Sequence, residues 1–156
     1  MLLREHGGPI VDGMFADAFL REMFRRIPEL VARARQISPL APHEIPSDAT
    51  QVYLREATRC YLFGFWDASM ALSRAALDEG LWTVARDKLK RKPESLRELL
   101  KACIWLGILD KPIADLADKV VLAGNRVLHI QPTNREEAWD ALCAVCGVLL
   151  HLFSRG

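Results

Sequence analysis

The sequence predicts an all-α protein, a helical bundle of four to five helices preceded by one additional N-terminal helix. Apolar residues recur at spacings of three and four in successive segments, which is the period of a half-buried helix. Prolines and polar clusters fall between those segments rather than inside them. Nowhere does the chain show the strict apolar–polar alternation of a half-buried strand, and it has no internal repeat.

Composition bounds the rest. At 156 residues and 51% apolar, with 9 Gly and 8 Pro, the chain suits one folded domain with a full core. Twenty-one basic residues against twenty acidic give a net charge of +1, so there is no overall field to steer the molecule to nucleic acid or acidic lipid, and any such binding must be local. Four cysteines without a signal peptide suggest free thiols in a reducing, cytoplasmic setting. The longest nearly uncharged run, Ala141 to Phe153, has 13 residues, short of the roughly 20 a bilayer requires. No spanning segment and no membrane partner are expected.

The elements follow in order. Residues 1–13, with Gly7, Gly8, Pro9 and Gly13, read as a flexible N-terminal arm. Residues 14–45 read as an accessory helix and a Pro-rich linker: Phe15, Phe19, Met23, Phe24, Ile27 and Leu30 form a helical stripe interrupted or kinked near Pro28, and Pro39, Pro42 and Pro46 follow. The bundle occupies residues 46–156. Asp48 is placed to cap a helix from about Thr50 to Phe65, with Gln51 as reciprocal partner, an inward stripe of Tyr53, Ala57, Cys60, Tyr61 and Gly64, and Gly64 as its stop. Asp67 is placed to cap a long helix to about Leu89, with Met70, Leu77, Leu81 and Ala85 on one face and a basic run, Arg86 to Lys92, at its end. Pro93 and Pro112 open two shorter helices, the first ending at Gly107 and the second at about Ala123. After a break around Gly124 to Pro132, the tetrad Thr133 to Glu136 has capping-box spacing and starts the last helix.

That last helix carries a heptad-like row of Trp139, Leu142, Cys143, Cys146, Leu149, Leu150 and Phe153, yet Val145, Val148 and Leu152 on the other side are apolar too. Such a helix either lies at the centre of the bundle or meets a second subunit.

Two places can carry chemistry. Arg74 falls, at about 100° per residue, inside the Met70–Leu77–Leu81–Ala85 face, where a guanidinium needs a partner. Asp78, one turn on, is placed to supply it; the alternative is that Arg74 snorkels to solvent. Farther on, Asn125, Arg126 and His129 fall within about one turn of each other: an amide, a permanent cation and an imidazole, the parts needed to bind a phosphate and move a proton. A histidine that only holds a loop by hydrogen bonds accounts for the same residues. Cys143 and Cys146 form a CxxC inside an apolar helix, without a second ligand pair at zinc-site spacing, so they read as packing and no metal or cofactor is expected. The basic run lacks interleaved aromatics and reads as a solvated helix end.

The pattern Glu56-Ala57, Cys60-Tyr61, Gly64, Ala68, Ser73-Arg74, Leu77-Asp78, then Gly124-Asn125 and His129 resembles the HEPN-like superfamily, in its bacterial branch called domain of unknown function 4145, over about residues 46–154. The resemblance implies an antiparallel helical bundle that dimerises, in a superfamily many of whose members are metal-independent ribonucleases of toxin or defence systems. Their active site pairs an arginine with a histidine a few residues downstream. His129 falls on that histidine, Asn125 on the polar residue between, and Arg74 with Asp78 on the arginine and acidic positions of the long helix. Where the upstream arginine belongs, this chain has Val121, Leu122, Ala123 and Gly124, and Arg126 lies on the wrong side of Asn125.

The sequence therefore supports, first, a non-catalytic HEPN-like homodimer whose Arg74, Asp78, Asn125, Arg126 and His129 region binds RNA, a nucleotide or a protein partner. The alternatives are a metal-independent endoribonuclease with His129 and Arg126 as catalytic residues, and a structural interaction domain in which His129 only fixes its loop.

Overall fold

The computed structural model describes residues 7–37, 45, 47–128 and 133–154, without the side chains of 7–12, 14, 15 and 128. Among the described residues there are six helices and no strand: α1 (Gly7–Ile37), α2 (Asp48–Phe63), α3 (Trp66–Ala85), α4 (Leu96–Trp105), α5 (Lys111–Leu128) and α6 (Arg135–Phe153). None is long and apolar enough to cross a membrane. The chain divides into two compact units, residues 1–36 and 37–156; most of the Pro-rich linker expected before the bundle lies outside the described residues.

The first unit is essentially α1. Its helix starts at Gly7, so the expected arm is helical from there on. Pro9 falls in the first turn, where a missing N–H costs no intrahelical bond, and the helix also runs through Pro28. Three acid-before-base pairs one turn apart brace it: Asp17–Arg21 at 3.9 Å, Glu22–Arg26 at 2.8 Å and Glu29–Arg33 at 3.3 Å.

In the second unit the helix boundaries differ from expectation for reasons visible locally. Ser47, not Asp48, caps α2: its backbone is extended and its Oγ accepts the Thr50 N–H at 3.3 Å, while Asp48 is already helical. Gln51 bonds instead to the Ile45 carbonyl. Gly64 ends α2 as expected. Its φ of 85° lets the Gly64 and Phe65 N–H groups reach the Tyr61 and Cys60 carbonyls at 3.1 and 2.8 Å, and the chain turns straight into α3. The buried stripe of α2 is Thr50, Leu54, Ala57 and Tyr61, which leaves Tyr53 exposed and Cys60 at the margin. Asp67 lies in the first turn of α3 without capping it. The helix ends at Ala85 rather than near Leu89: the Lys88 and Leu89 N–H groups both turn back to the Ala85 carbonyl, at 2.9 and 3.0 Å, and Lys92 then folds back to Asp78 at 2.9 Å.

Close approaches fix the directions of the helices. Along α3, Ser69 Oγ donates to the Ala57 carbonyl of α2 at 2.9 Å, and Gly80 lies against Thr50, so α2 and α3 are antiparallel. Gly80 also abuts Leu149 while Asp67 meets Thr133, so α3 and α6 run the same way. Arg126 pairs with Glu137, and Gly147 lies against Leu116, so α5 and α6 are antiparallel. The short α4 packs on α3 and α5.

The apolar helix α6 is central. Ala138, Ala141, Leu142, Ala144, Val145, Cys146, Val148 and Leu149 are all buried, and α2, α3 and α5 pack around it. Both of its apolar sides are thus filled within the chain, which removes the need for a second subunit there; Leu150 alone among its leucines is left largely exposed.

Candidate anion site between α3 and α5

On α3, Met70, Leu77, Leu81 and Ala85 are completely buried, which places Arg74 in the apolar face as its spacing requires. Its side chain is half-buried, and its stem lies across α5 at Gly124: a Cβ built on Gly124 would meet Arg74 Cβ at 2.7 Å and Cγ at 3.0 Å. Glycine therefore serves here for close approach. It does not break the helix, and α5 runs on to Leu128 rather than stopping near Ala123. The buried positions Ala114, Ala117, Val120, Val121 and Gly124 keep the helical spacing through that point.

Arg74 Nε is shielded from solvent and has no acceptor among the described residues. Asp78, the expected partner, is engaged by Lys92 from the connection between α3 and α4. At that nitrogen the guanidinium has lost water without gaining an acceptor, which is unfavourable for a charged group. Asn125 is half-buried next to Gly124 on the same helix. His129 lies outside the described residues.

Arg126 has a different task. Its guanidinium bonds Glu137 Oε1 at 2.5 Å, and Glu137 is the third residue of a true capping box. Asn134 Oδ1 accepts the Glu137 N–H at 3.0 Å, and Glu137 Oε2 accepts the Asn134 N–H at 3.2 Å. The box thus begins one residue later than its sequence spacing suggests, because the Thr133 hydroxyl is spent on Asp67 at the start of α3. Arg126, Glu137 and Asn134 together tie the end of α5 to the start of α6. Asn134→Ala should remove the cap and slacken this tie, lowering stability by about 1 kcal/mol in a urea titration.

The same end of the bundle holds a cluster that sequence patterning did not single out. The buried Tyr61 ring lies 5.4 Å from both Trp66 and Trp139, and its hydroxyl receives Arg135 Nε at 3.5 Å. The three aromatics come from three helices and meet only in the fold. The cysteines offer little chemistry: burial pushes the Cys103 thiol up to about 11 and, with Cys143 beside it, Cys146 up to about 12. Burial also raises Cys60 and Cys143, helped by Glu56 and Asp140 respectively. All four are therefore weak nucleophiles at neutral pH. Among the described residues no three His, Cys, Asp or Glu side chains are grouped to hold a metal.

In comparisons with known proteins, the chain matches no family model, no curated protein and no solved structure.

Proposed function

We propose that the chain is a non-catalytic, HEPN-like helical module of the cytoplasm that binds the phosphate of a nucleotide or RNA at Arg74, with Asn125 and His129 as the further ligand-binding residues that the resemblance assigns. The observation that carries this reading is Arg74, a half-buried cation with its Nε shielded and no acceptor among the described residues. The sequence resemblance supports it, and four free thiols accord with a reducing compartment.

The ribonuclease alternative assigns Arg126 to the reaction, and its bond to Glu137 counts against that role. RNA cleavage in EDTA that disappears in His129→Ala would restore it. The homodimer implied by the resemblance loses the argument drawn from α6, whose apolar sides are internal.

The direct test is fluorescence anisotropy with a labelled single-stranded RNA and with a labelled nucleoside triphosphate. Wild type should bind at least one of them. Arg74→Met should weaken binding by about 10- to 100-fold, the value of one charge-assisted hydrogen-bonded contact, while leaving thermal stability unchanged or raised. Absence of binding to wild type rejects the pocket.

A further inference from the structure

Among the described residues, the largest row of exposed apolar side chains lies on α1. Phe19, Leu20, Met23, Phe24, Ile27 and Val31 each expose between 42% and 67% of their surface. At about 100° per residue all six fall within an arc of about 140°, and the ionic residues Asp17, Arg21, Glu22, Arg25, Arg26, Glu29 and Arg33 occupy the remainder. Leu20, Met23, Ile27, Leu30 and Ala34 repeat in alternating steps of three and four, the spacing that fits one helix against another.

Charge along the helix is polarised. Residues 7–22 contain three acids, Asp12, Asp17 and Glu22, against Arg21, a net −2; residues 23–37 contain Arg25, Arg26, Arg33 and Arg35 against Glu29, a net +3. A partner helix complementary to α1 must therefore be apolar along one stripe, basic opposite the first half and acidic opposite the second. Alpha1 reversed end for end meets each of these conditions.

We infer that α1 is a self-association helix, through which two copies of the chain pair antiparallel about a two-fold axis. The pairing is isologous and closes on itself, so it yields a dimer and not a filament. Half-exposed side chains of this size have roughly 100 Å² each to bury, and six from each copy supply of the order of 1,200 Å², above the ~1,000 Å² that a specific interface requires. This dimer does not depend on the anion site, and its failure would leave that reading untouched.

Light scattering on the full chain over a wide concentration range tests the inference. Wild type should have twice the 17.6 kDa mass of one chain. The double variant Leu20→Glu, Ile27→Glu should be monomeric with its helical circular dichroism retained. A monomeric wild type overturns the inference, and so does a dimer that survives both substitutions. A monomer that floats with anionic lipid vesicles would assign the face to a bilayer surface instead of a second copy, and equally overturns it. Orientation is read by cross-linking. A mixture of Ala16→Cys and Ala34→Cys chains should form the mixed disulfide on oxidation, whereas efficient coupling of Ala16→Cys to itself would reject the antiparallel arrangement.

Discussion

Val148→Asp should leave the bundle unfolded, seen as loss of both cooperative thermal melting and dispersed amide resonances. Val148 is completely buried on α6, on the side that sequence alone could have assigned to a subunit interface. Burying a carboxylate at a completely buried position costs several kcal/mol. That is comparable with the whole stability of a domain of this size, roughly 5–15 kcal/mol. Leu150→Asp is the control two residues on: Leu150 is 47% exposed, so the change should stay within about 0.5 kcal/mol. If the Val148 side were an interface, its aspartate variant would instead be a well-folded monomer.

Gly124→Val should lower the midpoint of urea unfolding by an amount equivalent to about 1–3 kcal/mol, the usual cost of forcing atoms into a filled space. The added Cβ would lie 2.7 Å from Arg74 Cβ, an atom held by its own backbone, so the clash is not relieved by swinging the guanidinium aside. Helix propensity works in the other direction, since glycine is the poorer helix former by a few tenths of a kcal/mol relative to valine. The steric term is larger. Arg74→Ala should make room for the valine, so the double variant should be more stable than the two single changes summed; that non-additivity is the signature of direct contact.

Helix content and the core were largely legible in the sequence because both rest on periodicity. The Met70–Leu77–Leu81–Ala85 face and the embedding of Arg74 follow from spacing alone. Ends were less legible, because a cap is a competition among adjacent residues. Ser47 displaces Asp48, and Asn134 displaces Thr133 once Asp67 has taken the threonine hydroxyl. Gly124 looks like a break in the sequence because sequence shows glycine's weakness as a helix former but not the neighbour that makes its missing side chain useful. Partners of charged residues were hardest. Asp78 had an arginine one turn away, yet Lys92, fourteen residues on, takes it, since the turn after α3 returns the chain to that side.

The directions of the helices also bear on how the chain folds. The pairs α2–α3 and α5–α6 are each antiparallel neighbours in sequence, joined by short connections, so their contacts close small loops at little entropic expense. The parallel contact of α3 with α6 is of another kind. It joins residues as far apart in sequence as Asp67 and Thr133, so it closes a much longer loop than either hairpin. Contacts of such wide sequence separation are the kind that slow folding, whereas the two hairpins are local. The close approach of Gly80 to Leu149 belongs to that long-range contact, which no single hairpin can form by itself.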